Sequence, residues 1–186
     1  MTKGTEELIQ EVMEGLGDRY SPSDKQQFET ALRSVVVEGK PVVGLGGLSP
    51  ELMENIYAHA YRLYNSGNYH EAGIVFALLV TLDMNNPKYY LGLAASFHRE
   101  QAYLDAVECY LAVYCMDMTN PIPFYHLYDC WRNLGDGTNC LFALSMVIEL
   151  SGNNPKYAKM KERCELMHAS LVKELESQQT AKTGNG

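Results

Sequence analysis

The dipeptide Asn-Pro occurs at Asn86-Pro87, Asn120-Pro121 and Asn154-Pro155, each 34 residues from the next. A fixed period of that length limits what the chain can become, because each repeat must be one supersecondary unit that completes its core against its neighbours. A single recurring dipeptide is cheap, so the positions between must agree, and they largely do. Asp83 and Asp117 correspond, with Ser151 in third place. Tyr69 and Tyr103 correspond, and Gly137 breaks that series. Ala72, Ala106 and Cys140 are small; Phe76, Tyr110 and Leu144 are large and apolar; Leu82, Met116 and Leu150 close each unit. The units are residues 53–86, 87–120 and 121–154.

Each unit reads as two helices. Asn as N-cap accepts an orphan amide hydrogen, and proline at the first helical position lacks one. About a dozen residues later Gly67-Asn68 or Gly135-Asp136 punctuates a tight turn. A second helix follows from about Tyr69 to Leu82, with a small residue where the two helices cross. This is the tetratricopeptide pattern. It predicts an all-α fold, an α-solenoid of three tetratricopeptide repeats stacked as a right-handed superhelix. The middle unit has Gln101-Ala102 at its turn, which predicts a turn there without a left-handed residue.

The flanks supply caps. Leu8, Ile9, Val12, Met13 and Leu16 mark a short first helix. Ser21-Pro22-Ser23-Asp24 starts a second, with Phe28, Leu32, Val35 and Val36 on one side and Gly39 at its end. Pro41 to Leu48 is apolar and glycine-rich but lacks the Lys-Ser/Thr of a phosphate loop, so it reads as a packed linker. The apolar content of residues 1–48 suggests self-association, and hence a homodimer through this region. Residues 155–177 read as a C-terminal capping helix with Tyr157, Met160, Cys164, Met167, Leu171 and Leu175 on one face, and 178–186 as a disordered tail.

Composition excludes several classes of partner. The net charge of −8 argues against nucleic acid, which needs clustered Lys and Arg. No apolar run approaches the ~20 residues of a membrane helix, and the acidic start lacks the features of an export signal. Five cysteines, without a C-x-x-C pair, read as small buried hydrophobes of a reducing compartment.

No catalytic constellation, metal site or cofactor site emerges. The five histidines have no metal-ligand spacing. His98 and His126 lie on first helices of adjacent units, where polar groove contacts are the better reading. Asp136-Gly137 opens like a calcium loop but lacks the acidic ligands that should follow. Function therefore falls to the first helices, which line the concave side of such an array. One stripe carries Tyr57, Tyr61 and Tyr64; the next Leu91, Ala95, His98 and Arg99; the third Tyr125, Asp129 and Arg132. Eleven of the 13 tyrosines fall between Met53 and Asn154. Phe76, Tyr69 and Tyr110 are core. Ile56, Ala60 and Leu63 already supply the buried face beside Tyr57, Tyr61 and Tyr64, so those three read as a binding wall. Tyrosine suits that use, giving large contact area at low entropy cost. A clamp for a C-terminal carboxylate would want Lys and Asn there, so an extended apolar segment, seated in gaps at Gly92 and Ala95, fits better.

The runs MENIYAHAYRLYNSGNYHEAGIVF, LDMNNPKYYLGLAAS and YLDAVECYLAVYCMD resemble the class II chaperones of bacterial type III secretion. That resemblance implies three repeats, N-terminal dimerisation helices, a closing helix and a bacterial cytoplasmic location. It implies that Tyr57, Tyr61, Tyr64, Leu91, Ala95 and His98 form pockets for a P-x-L-x-x-P-like segment of hydrophobic translocator proteins, with Tyr125 and Arg132 as further candidates. A scaffold or adaptor that binds a folded partner through its convex face is the alternative.

Overall fold

The computed structural model describes residues 4–16, 21–38 and 49–183. Among these the regular structure is entirely helical, and the fold class is all-α, of the tetratricopeptide α-solenoid kind. The helices are α1 (Thr5–Leu16), α2 (Pro22–Val36), α3 (Pro50–Asn65), α4 (Tyr69–Leu82), α5 (Pro87–Arg99), α6 (Tyr103–Met116), α7 (Ile122–Asn133), α8 (Gly137–Ser151) and α9 (Ala158–Thr183). A short 3₁₀ turn, Pro155–Tyr157, precedes α9. Gly39 and Pro41 to Leu48 lie outside the described residues.

The recurring Asn-Pro pairs start their segments with one device. The side chains of Asn86, Asn120 and Asn154 accept hydrogen bonds from the amides of Lys88, Ile122 and Lys156 at 3.3, 3.1 and 3.0 Å. The recurring Asn-Pro is thus a recurring cap. Ser21 and Ser49 do the same for α2 and α3, accepting from Asp24 and Leu52, each with proline next in the chain.

The turns inside the hairpins correct one expectation. Gly67 and Gly135 have φ of 87° and 74°, and Gln101 joins them at 64°. The amides of Gly67, Gln101 and Gly135 each donate to a carbonyl three residues back, all at 3.1 Å. Closing the same bond over the same turn imposes the same left-handed backbone, whatever the side chain. For a residue with a Cβ that conformation costs about 1 kcal/mol.

Two compact units divide the chain after Gln101. In the first, α4 lies between α3 and α5, and α1 and α2 pack on α3 and α4. Ile9, Val12, Phe28 and Leu32 are fully buried there. The N-terminal helices, expected to form a region of their own, therefore share a core with the first hairpin. Arg33 of α2 ties them together, donating to Glu6 at 2.6 and 3.0 Å and to Glu29 at 3.0 Å.

In the second unit α7 packs against α6 and α8, and α8 against α9. The repeat positions behave alike in both units. Ala72, Ala106 and Cys140 are buried, as are Phe76, Tyr110 and Leu144. Gly137 departs from its tyrosine counterparts for a visible reason: a Cβ there would stand 3.0 Å from a methyl of Leu175, so α9 fills that space. Helix α9 runs on to Thr183, beyond the end expected at Ser177. Of the cysteines, Cys130, Cys140 and Cys164 are buried as expected, whereas Cys109 is half-buried and Cys115 exposed. Burial pushes the thiols of Cys109 and Cys130 up to about 11 and about 12, which keeps them protonated and unreactive.

Candidate functional site

In the first unit the stripe on α3 is graded rather than uniform. Leu52, Ile56, Ala60 and Leu63 take its buried face. Tyr57, one position round from Ile56, is half-buried and wedged between helices. Its ring meets the edge of Phe76 from α4 at 5.8 Å and that of Tyr89 from α5 at 6.0 Å. Tyr61, one turn on, lies stacked against Tyr57 at 6.3 Å and 18° and is 52% exposed. Tyr64 turns toward the hairpin end, edge-on to Tyr69 at 5.3 Å, and the Arg99 guanidinium sits 4.6 Å above Tyr69. Tyr57 and Tyr64 thus pack the hairpin while bordering its surface, and Tyr61 faces solvent.

On α5 the candidates Leu91, Ala95 and His98 are half-buried, and their spacing sets them on one face of that helix. Gly92 does not leave the gap expected of it. A Cβ there would meet three atoms of the Phe76 ring at 2.4–2.6 Å. The missing side chain of α5 is the socket for an aromatic of α4, and the wall is continuous at that point.

Lys88 and Glu54, outside the tyrosine stripe, complete the surface, with Tyr89 buried beneath them. The Lys88 ammonium lies 4.2 Å from the Tyr57 centroid and 5.7 Å from that of Tyr89, and it is ion-paired with Glu54. Burial would push the Lys88 ammonium down, but Glu54 outweighs it and holds it above the usual lysine value. Burial raises the Tyr89 phenol. The wall therefore pairs apolar faces with a fixed cation at one edge. Glu54 and Lys88 are 34 residues apart, at equivalent places in successive repeats, and that spacing is the signal by which the sequence could have yielded them.

The second unit carries the remaining two candidates on α7. Tyr125 is half-buried, with the Arg163 guanidinium of α9 at 6.0 Å and His126 edge-on at 5.9 Å. His126 itself lies flat on Tyr110 at 5.0 Å and 12°. Arg132 is exposed and lines a cleft of about 420 Å³ with Tyr128, Cys140, Met167, Leu171 and Leu175. Both candidates thus look toward the closing helix. Among the described residues there is no cluster of three or more His, Cys, Asp or Glu placed to hold a metal. None of the helices described is long and apolar enough to cross a membrane.

The tetratricopeptide repeat model matches residues 53–86, the span of α3, its turn and α4. Low calcium response locus protein H of Yersinia pseudotuberculosis is 28% identical over 156 residues, covering 83% of this chain and 93% of that protein. Among solved structures, Yersinia enterocolitica SycD in complex with a peptide of the translocator YopD is 27% identical. It superposes with a TM-score of 0.64 over 68% of this chain and 96% of that one. PcrH in complex with the chaperone binding region of PopD gives 0.66 at 26% identity, over 70% and 98%. The chain is similar in both sequence and fold to these type III secretion chaperones. The agreement in both sequence and fold extends well beyond the single matched repeat. The chaperone protein SicA of Salmonella typhimurium, 26% identical, matches over 61% of this chain and 68% of its own length.

Proposed function

We propose that this chain is a cytoplasmic, non-enzymatic chaperone that holds an extended Pro- and Leu-containing segment of a hydrophobic type III secretion translocator. Two relatives of matching fold are described in complex with translocator segments, one from YopD and one from PopD. The observation that carries the reading to particular residues is the packing of Tyr61. It is a large aromatic held outward by its stack on Tyr57, with the Lys88 cation at the same edge. Such a surface offers flat apolar contact to Pro and Leu side chains and phenolic hydroxyls to an extended backbone. Leu91, Ala95 and His98 would continue it along α5, with Tyr125 and Arg132 as further contacts. Binding one short segment lets the chaperone keep a membrane-seeking client dissolved without ATP.

The SycD fold is also described as an alternative dimer, and we place self-association of this chain in its N-terminal region. Co-expression with its hydrophobic client, followed by purification, tests the proposal. Wild-type chaperone should keep the client in the soluble fraction and co-purify with it, whereas a folded Tyr61→Ala/Lys88→Met variant should lose it. Retention of the client by that variant would move the site away from this wall and favour a scaffold that binds a folded partner. Light scattering of the full-length chain reads the oligomeric state.

A further inference from the structure

Helix α3 carries a histidine in line with its core leucines. His59 continues the buried series Leu52, Ile56, Leu63, is only 7% exposed, and its Nε2 has no hydrogen-bond partner among the described residues. Buried polar nitrogens are normally satisfied, and an unmatched one in a core position is a source of instability that needs a reason. A leucine would serve the packing better. Helix α1 packs directly on α3, and its Ile9 and Val12 are fully buried.

We infer that His59 is a proton-operated latch, which keeps α1, with α2 packed against it, seated on α3 while the imidazole is neutral and loosens α1 when it takes up a proton. Among the described residues the seated state has no acceptor for a second N–H at Nε2, so a protonated ring would hold an unsatisfied charge in an apolar contact. Detaching α1 admits water to the ring and removes that penalty. The charges on the surrounding helices set the balance. Arg62 on the same helix opposes protonation and Glu11 on α1 favours it. Burial and Arg62 prevail, so the seated imidazole titrates below its usual value of 6.5.

The sign follows. The detached state binds the proton more readily, so seating is at full strength above pH 6.5 and weakens as pH falls from there toward the lower value of the seated ring. Helix α1 is a natural moving part, since α3 also packs on α4 and α5 through contacts that do not involve it. The loosened form uncovers the faces of Ile9 and Val12.

Hydrogen exchange of the full-length chain, corrected for the intrinsic pH dependence of exchange, reads the latch directly. Between pH 7.5 and 5.5, amides of α1 and α2 should lose protection, by at most about tenfold because pH 5.5 lies one unit below the usual imidazole value of 6.5, with those of α7 and α8 unchanged. In His59→Leu, which keeps an apolar core position, and in His59→Gln, which is neutral at every pH, α1 and α2 should stay protected across that range. Loosening of α1 in both variants as in wild type would overturn the inference, as would wild-type protection that does not fall with pH.

Discussion

The ring of Phe76 occupies the space that a side chain at Gly92 would fill, its nearest carbon 2.4 Å from where a Cβ would stand. Phe76 is 1% exposed and also carries the edge of Tyr57, so this one glycine sets how far the aromatic wall can sink between α4 and α5.

Gly92→Ala should therefore destabilise the first unit although alanine is the better helix former. The propensity gain is about 1 kcal/mol. Displacing a buried aromatic ring costs about 1–3 kcal/mol and disturbs Tyr57 as well. A lower urea midpoint is the expected outcome, with weaker client binding. A raised midpoint would mean that Phe76 has room to move aside.

Gln101→Gly should act in the opposite direction. The φ of 64° at Gln101 is the same left-handed backbone that glycine provides at Gly67 and Gly135. Relief of that strain, less the entropy of a freer unfolded chain, should raise stability by about 0.5–1 kcal/mol. Thermal melts of the two proteins decide it, and a lowered Tm would mean that the Gln101 side chain makes up for its own backbone.

These two positions show where the sequence was legible. The 34-residue spacing located the caps and the small and large core positions, because each is dictated by backbone geometry within one hairpin. It misjudged Gln101, since a turn forced by its own hydrogen bonds overrides residue preference. It misjudged Gly92 for a different reason: a missing side chain looks the same in sequence whether solvent or a neighbouring ring fills the space. Lys88 and Glu54 were passed over because each is an ordinary surface residue until the second repeat sets the two side by side. The orphan nitrogen of His59 could not be read at all without the packing of α1.

Acid should loosen the N-terminal helices in a second, lower window. Hydrogen bonds from Arg33 hold the Glu6 carboxyl below its usual 4.5. The contact therefore contributes in full above pH 4.5 and is lost as pH falls through the lower value of the seated carboxylate. Arg33→Met should abolish the pH dependence of α1 protection below pH 4.5 while leaving any dependence near neutrality intact. Glu6 and Arg33 are both substantially exposed, so added salt should weaken the clasp. Loosening below pH 4.5 that survives in Arg33→Met would assign the acid step to another carboxylate.

The graded burial of the α3 tyrosines separates binding from stability. Tyr61 is 52% exposed and touches Tyr57 from outside; its truncation to alanine should leave the unfolding free energy within about 0.5 kcal/mol of wild type. If it is an anchor for the client segment, the same change should weaken binding of a translocator-derived peptide by about 1–3 kcal/mol. Tyr57→Ala removes contacts to Phe76 and Tyr89 as well as the ring beneath Lys88, and should cost about 1–3 kcal/mol of stability in addition to any loss of binding. Lys88→Met keeps the apolar stem and deletes the cation. It should lower affinity at low ionic strength and narrow the difference from wild type as salt is added. Calorimetric titration of one peptide into the four proteins, each with its own urea unfolding curve, measures both quantities. Full affinity in Tyr61→Ala would remove the outward face of α3 from the client site.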